Sequence, residues 1–219
     1  MDILMRLLDF SSSSISLCLL GPLFLVVALV IKLTSPGSVF YQALRVGQDG
    51  RLFRLYKFRT MVVDADRVGP PLTSKDDPRI TSVGGLLRRT KIDELPQLLN
   101  VIMGDMNLVG PRAEDPKYVV SYTDKQREVL SVKPGITSPA SILYRQEERL
   151  LCGPDSEETY LRDLLPAKLA IELDYLGRRT LWTDFVVLGN TFIALFRGSK
   201  NAPFPPGGSR ESDFRANIG

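Results

Sequence analysis

The sequence predicts a membrane-anchored α+β protein of mostly helical content, and three observations carry that expectation. Phe10 to Ile31 is a run of 22 residues without a charged side chain. A charged middle follows, in which two short β-prone runs precede helical patterns. The chain then closes on a second apolar stretch, Leu181 to Phe196, and on a tail rich in Pro, Gly and charge. With 219 residues and 44% hydrophobic content, there is material for one sizeable core and no sign of a second large domain. The boundaries read as a membrane helix over 1–34, a single folded domain over 35–199 and a disordered tail over 200–219.

The first element is long enough for a membrane helix, which needs about 20 apolar residues. After Leu29 the chain reads Val-Ile-Lys-Leu-Thr-Ser-Pro, which lacks the small-x-small pattern of a signal cleavage site, so the segment reads as a retained anchor. Gly21-Pro22 falls near its middle, and a proline there removes one backbone hydrogen bond and favours a bend. Arg6 and Lys32 flank the run on both sides. Basic residues favour the cytoplasmic face, so a re-entrant helix kinked at Gly21 and Pro22 satisfies both, whereas a straight span exposes one outside.

Ser35-Pro36-Gly37 ends that helix with turn residues. Val39 to Gln42 and Leu52 to Phe58 are β-prone and are separated by Gly47 and Asp49-Gly50, the signature of a small hairpin. The second run ends on Lys57 and Arg59. Two cations there read either as a solvated face or as donors to phosphate or an anionic headgroup. Asp64 to Arg79 is polar, contains Pro70-Pro71 and Asp76-Asp77-Pro78, and reads as a long surface loop. Further on, Asp124 to Leu130 predicts a short helix stopped by Lys133-Pro134-Gly135, and Glu157 to Leu176 is helical in pattern with an interruption at Pro166. Leu181 to Phe196 is 16 residues long, short for a span, and reads as a buried or an interfacial helix with Trp182 near its start.

The stretch from Arg88 to Arg112, RRTKIDELPQLLNVIMGDMNLVGPR, carries the chemistry. Leu95, Leu98, Leu99 and Ile102 recur at helical spacing and predict a buried face. Pro96 is tolerated only in a first turn, which puts the helix start near Asp93. Asp93 would then cap the helix, and its ionised form would be favoured by backbone N–H groups and the dipole. Such an acidic start is often only a cap. Here Arg88, Arg89 and Lys91 precede the Asp93-Glu94 pair, and Gly110-Pro111-Arg112 makes a turn able to return another guanidinium to it. A cluster of this kind suits a phosphorylated substrate.

Composition excludes several alternatives. The chain has no histidine, which removes Ser-His-Asp and Cys-His catalysis and any His-ligated zinc, leaving carboxylates as the reactive groups. A net charge of +3 without a basic run or basic-aromatic patch argues against a nucleic-acid partner. Cys18 and Cys152 lie in dissimilar surroundings, so a disulfide is not expected and a reducing cytoplasmic setting fits.

These residues resemble the bacterial sugar transferase family, the monotopic phosphoglycosyl transferases that use polyprenol phosphate. The matching segments are the apolar run with Pro22, SPGSVFYQ, RVGQDGRLFRLYKFRTM, DPRIT, LLRRTKIDELPQLLNVIMGDMNLVGPR and KPGIT, and they cover roughly residues 3 to 137. The resemblance implies a minimal catalytic unit, with 35–199 on the cytoplasmic face of the bacterial inner membrane. It implies transfer of a phosphosugar from a UDP-sugar to undecaprenyl phosphate, with release of UMP, as the first membrane step of exopolysaccharide, O-antigen or glycoprotein assembly. Asp93 would be the nucleophile and hold the phosphosugar, with Glu94 assisting. Arg88 and Arg112 would hold the phosphates, joined by Lys57 and Arg59, and Mg²⁺ would bind Asp93 and Glu94. Two alternatives remain at this point: a glycosyl transferase that releases UDP, and a non-catalytic membrane scaffold for glycan assembly. The sequence also leaves a homodimer open.

The chain departs from the family pattern in three places. Gly21 stands where a Ser often precedes the proline, and Ala113 replaces a proline after the Gly-Pro-Arg turn. After KPGIT the chain reads SPASILYRQEERLL, where the family commonly has a glycine-tryptophan sequence. No site residue is carried over there. Tyr144 and Arg145 are candidates for nucleotide or sugar recognition, but read at least as well as a packing tyrosine and a surface arginine.

Overall fold

The computed structural model describes residues 2–69, 72–73, 77–151 and 155–196. Tail residues 200–219 and part of the loop between Asp64 and Arg79 lie outside the described residues. The architecture is mostly helical, with a long apolar N-terminal helix and a small antiparallel two-stranded sheet.

The first helix, α1 (Asp2–Thr34), runs for 33 residues and continues through Pro22. One side of it lies along the domain. Arg6 near the start donates to the carbonyls of Val101 and Ile102, the latter at 2.7 Å. Ser13 is fully buried in the middle, and Val27 and Ile31 are buried near the end against Phe58 and Leu87. These positions are 7, 14 and 4 residues apart, separations that keep them on one helix face. The opposite side exposes Ile3, Leu7, Ile15, Leu19, Leu25, Leu29 and Leu33. In water such a face would be strongly unfavourable, at about 25 cal/mol per Å² of apolar surface left wet.

The expected hairpin is formed by β1 (Phe40–Val46) and β2 (Leu52–Phe58), antiparallel from Phe40 opposite Phe58 to Val46 opposite Leu52. β1 extends four residues further than the sequence indicated, because its ladder continues until Gly47. Both edges of this ribbon are used. Asn100, fully buried in α4 (Gln97–Met103), donates to the Arg54 carbonyl at 2.8 Å and accepts from Tyr56 N–H at 3.0 Å. A carboxamide thus stands in for a third strand on the outer edge of β2. On the other edge, Val46 N–H donates to the Glu114 carbonyl.

The polar loop after β2 contains a short turn of helix, α2 (Ala65–Val68), and is held by Arg79. That guanidinium is paired with Asp77 at 2.6 Å and donates to the Ala65 and Leu72 carbonyls. α3 (Ser82–Thr90) follows, capped by the Thr81 hydroxyl. Gly84 places its Cα against the backbone of Thr60 so closely that a Cβ would sit 1.9 Å from the Thr60 carbonyl oxygen.

A second pairing was not anticipated. β3 (Asn107–Val109) runs parallel to β4 (Gly135–Thr137). Three-residue strands leave almost no periodic signal, which is why the sequence did not reveal them. Between them lie α5 (Pro116–Val119) and α6 (Asp124–Arg127), the latter at the place expected for a short helix and closed by a capping box from Thr123 and Gln126. The C-terminal half comprises α7 (Pro139–Leu143), α8 (Ser156–Thr159), α9 (Leu165–Gly177) and α10 (Leu181–Phe196). A π-type turn over Tyr160–Leu164 joins α8 to α9, and Pro166 follows it in the first turn of α9, so the expected interruption there is a change of helical pitch within a continuous run. The main core packs Tyr118, Tyr122, Tyr144, Tyr160, Leu164 and Leu169 together. α10 exposes Trp182, Phe185, Phe192 and Ile193, so it is not the fully buried helix that the sequence allowed.

Candidate active site

The Asp93-Glu94 pair sits in a tight turn, Ile92–Glu94, between α3 and α4. Contrary to what the sequence suggested, the helix does not start at Asp93. Lys91 takes a left-handed φ of 60° and ends α3, a 3₁₀ turn follows, and α4 begins only after Pro96. Among the described residues Asp93 makes no capping bond, and its buried Oδ1 has no hydrogen-bond partner. The buried face of α4 is accordingly Gln97, Leu98, Asn100 and Val101, shifted from the expected leucine face.

Glu94 is the carboxylate that the cations hold. Lys57 Nζ lies 3.1 Å from Glu94 Oε1, and Arg112 Nη2 lies 3.0 Å from the same oxygen. The Gly-Pro-Arg turn therefore does return a guanidinium to the acidic pair. Gly110 allows this because its Cα abuts the Lys133 to Gly135 backbone, where a Cβ would lie 2.7 Å from the Lys133 carbonyl oxygen. Arg88 and Lys91 line the same cavity without forming an ion pair with either acid. Arg59 also lines it, but one of its nitrogens donates to Ser35 Oγ at 2.7 Å and to the Ser35 carbonyl at 3.0 Å, tying β2 to the end of α1. Among the described residues its buried Nη1 has no partner.

The two acids have opposite electrostatics. Burial raises Asp93, the adjacent Glu94 charge adds to it, and Lys57, Lys91 and Arg88 only partly oppose them, leaving its carboxyl at about 6. Burial also works against charge on Glu94, but Lys57, then Arg112 and Lys91, outweigh it and hold that carboxyl well below the usual carboxylate range. Asp93 was expected to favour its ionised form as a helix cap. Without the capping N–H groups that expectation reverses, and Asp93 becomes the more basic member of the pair. Divergent environments on neighbouring carboxylates commonly mark different chemical roles.

The cavity measures about 870 Å³ and continues past Arg112 to Glu114, Glu147, Tyr160 and Lys168. Lys168 Nζ lies 2.7 Å from Glu147 Oε2, and Tyr160 donates to Glu114 Oε2 at 2.5 Å. Sequence reading missed this wall, since its residues are drawn together from 54 positions of chain and follow no local motif. Tyr144 is buried in the main core and Arg145 donates to the Ala194 carbonyl, so both do structural work.

A divalent cation can be tested against these groups. Among the described residues no three His, Cys, Asp or Glu side chains cluster as a ligand set. Among those residues Asp93 nevertheless presents a buried oxygen without a donor, beside a second carboxylate. Mg²⁺ commonly takes one or two carboxylates and completes its shell with water and substrate phosphate, so Asp93 and Glu94 fit it.

A family model for bacterial sugar transferases matches residues 1–198, and the chain belongs to that family. It is 37% identical over 208 residues to the exopolysaccharide production protein PSS of Rhizobium leguminosarum bv. phaseoli, covering 90% of this chain and 97% of that protein. It is 33% identical over 207 residues to the UDP-glucose:undecaprenyl-phosphate glucose-1-phosphate transferase of Escherichia coli K12, covering 91% of this chain and 41% of the relative. A third relative, the UDP-N-acetylgalactosamine-undecaprenyl-phosphate N-acetylgalactosaminephosphotransferase of Aeromonas hydrophila, is 34% identical over 199 residues, covering 88% of this chain and 44% of the relative. The chain thus spans less than half the length of the last two.

Proposed function

We propose that the protein transfers a phosphosugar from a UDP-sugar to undecaprenyl phosphate and releases UMP, at the cytoplasmic face of the bacterial inner membrane. The observation that carries this reading is the pairing of a buried, basic Asp93 with a Glu94 kept charged by Lys57 and Arg112. Similarity to relatives named for sugar-phosphate transfer to undecaprenyl phosphate supports the substrate classes.

In the first step an Asp93 carboxylate oxygen attacks the phosphorus bearing the sugar. The bond from that phosphorus to the bridging oxygen breaks, and UMP departs with the electron pair. In the second step an oxygen of undecaprenyl phosphate attacks the same phosphorus, and the Asp93 carboxylate is regenerated. Lys57, Arg88 and Arg112 orient the phosphates and offset the negative charge that accumulates as anion approaches anion. Arg59 Nη1 adds a further donor at the edge of the cavity. Mg²⁺, bound by Asp93 and Glu94, would supply additional charge neutralisation on the diphosphate. A covalent route lets a soluble donor and a lipid acceptor use one site in turn.

The anchor is read as re-entrant, with α1 entering and leaving on one face of the membrane. Support comes from contacts at both ends of α1: Arg6 and Ile31 both touch the same domain. At 1.5 Å per residue they are about 38 Å apart along a helix, more than the roughly 30 Å of a bilayer core. A straight crossing would drag one of those contacts through the membrane. Pro22 leaves the Cys18 carbonyl without its helical donor and provides the point for a bend. The exposed apolar faces of α1 and α10 would lie in the bilayer interface. A cysteine introduced at the exposed position 3 (Ile3→Cys, with Cys18 and Cys152 replaced) should resist an impermeant maleimide from the periplasmic side and react in inverted vesicles. Periplasmic labelling would establish a full span.

The activity is tested by incubating the protein with Mg²⁺, undecaprenyl phosphate and a panel of UDP-sugars and identifying the nucleotide. UMP, dependent on the lipid acceptor, is the expected product. UDP would assign an ordinary glycosyl transferase, and no product from any donor would favour the scaffold.

A further inference from the structure

The cavity has two electrostatic halves, and Arg112 stands between them. On one side are Asp93, Glu94 and the cations Lys57, Arg88 and Lys91. On the other are Glu114 and Glu147, whose negative charges reinforce the guanidinium charge of Arg112 after that of Glu94. A diphosphate belongs in the first half, where Lys57, Arg88, Lys91 and Arg112 outnumber the two carboxylates, whereas Glu114 and Glu147 are balanced by Arg45 at 3.8 Å and Lys168 at 2.7 Å. The second half suits a neutral group rich in hydroxyls, because a carboxylate accepts short, charge-assisted hydrogen bonds from them.

Glu147 is built to do this. Its segment follows α7 and is fixed on three sides: Tyr144 is buried in the core, Arg145 donates to the Ala194 carbonyl of α10, and Lys168 from α9 takes Glu147 Oε2. The Lys168 side chain is only 7% exposed, whereas that of Glu147 is 30% exposed at the cavity. Among the described residues Oε1 of Glu147 has no hydrogen-bond donor. Lys168, with Arg112, also holds the Glu147 carboxyl below its ordinary range against the effect of burial, so it stays an acceptor at neutral pH.

We infer that Glu147, positioned by Lys168, is a specificity-determining residue that accepts hydrogen bonds from hydroxyl groups of the sugar transferred. This rests on the UDP-sugar reading above and extends it to the part of the donor that the family motifs leave unread. Ribose also carries hydroxyls, but the connectivity favours the sugar. The sugar is bonded directly to the phosphate that Asp93 attacks, whereas ribose lies one phosphate further away. Glu147 interacts electrostatically with Arg112, which itself touches the partner of Asp93 in the acidic pair.

The test compares wild type with Glu147→Gln, which keeps shape and removes the charge. The readouts are kcat/KM for a panel of UDP-sugars and the inhibition constant for UMP. The expected result is a loss of about tenfold for the preferred sugar and a changed ranking among sugars, with UMP inhibition constant within about twofold. A double variant, Glu147→Gln with Lys168→Met, leaves no buried unpaired cation and should show the same change in ranking if the single variant folds poorly. An equal loss for every sugar with weakened UMP inhibition would overturn the inference and assign Glu147 to the nucleoside. An unchanged ranking with intact wild-type turnover would overturn it alone, while wild type that turns over no UDP-sugar would overturn the activity reading and this inference together.

Discussion

Removing the charge of Glu94 should cost more than its single place in the chain indicates, because Lys57 and Arg112 both depend on it. Lys57 and Glu94 are 18% and 13% exposed at 3.1 Å, so neither is a surface group. With an effective dielectric of about 20, a pair at that distance attracts by about 5 kcal/mol before desolvation is subtracted. Burial already lowers Lys57, against the pull of Glu94, which marks that desolvation as substantial. The net coupling in a double-mutant cycle of Glu94→Gln and Lys57→Met should therefore be about 2 kcal/mol, within the usual range for groups in contact. Glu94→Gln alone leaves Lys57 and Arg112 without their shared anion and should lose about 3 kcal/mol. For a chain of this length that lowers the melting temperature by about 6–12 °C. Thermal unfolding of the four proteins in one detergent, followed by circular dichroism, measures both quantities. Additivity within about 0.5 kcal/mol, the behaviour of an exposed ion pair, would refute the description of this site as a buried charge cluster.

Two further predictions concern stability. Ser138 Oγ lies 2.5 Å from Glu172 Oε1 and 2.9 Å from Ser141 Oγ, and it accepts from Ser141 N–H. Ser138 donates to Glu172 Oε1, which favours the charged carboxylate. Burial pushes Glu172 from 4.5 up to about 7, against Ser138, Lys168 and Arg112. Because the folded value lies above the unfolded one, the contribution is complete below about pH 4.5 and is lost as pH rises through about 7. At about 1.36 kcal/mol per pH unit that gap is on the order of 3 kcal/mol. Glu172→Gln should thus match wild type near about pH 5 and exceed it in melting temperature near about pH 8. An identical difference at both pH values would contradict the assignment. Gly84→Ala should push α3 away from Thr60 and cost about 1–3 kcal/mol, read as a lower melting temperature, whereas Gly85→Ala, with only a side-chain atom at 3.9 Å from its new Cβ, should be close to neutral.

Much of the framework was legible because it depends on local pattern. The uncharged run gave α1, the Gly and Asp-Gly positions gave the turn between β1 and β2, and Gly110-Pro111-Arg112 indicated a returning guanidinium that the structure puts on Glu94. What escaped depends on tertiary placement. Lys91 adopts a left-handed conformation without being a glycine, so nothing local signalled that α3 ends there and that Asp93 would lose its capping role. Asn100 reads as an ordinary helix residue until β2 is beside it. Glu147 and Lys168 meet from 21 positions apart, with two turns and a helix between them, and no period in the sequence links them.

The most direct test of the central claim is to look for the phosphosugar on Asp93. The protein is mixed with its UDP-sugar donor and Mg²⁺ without undecaprenyl phosphate, quenched, digested and examined by mass spectrometry. The account predicts that the peptide containing Asp93 gains the mass of one sugar phosphate, that adding undecaprenyl phosphate before quenching removes it, and that Asp93→Asn never shows it. An adduct on another residue, or sustained turnover by Asp93→Asn, would contradict it.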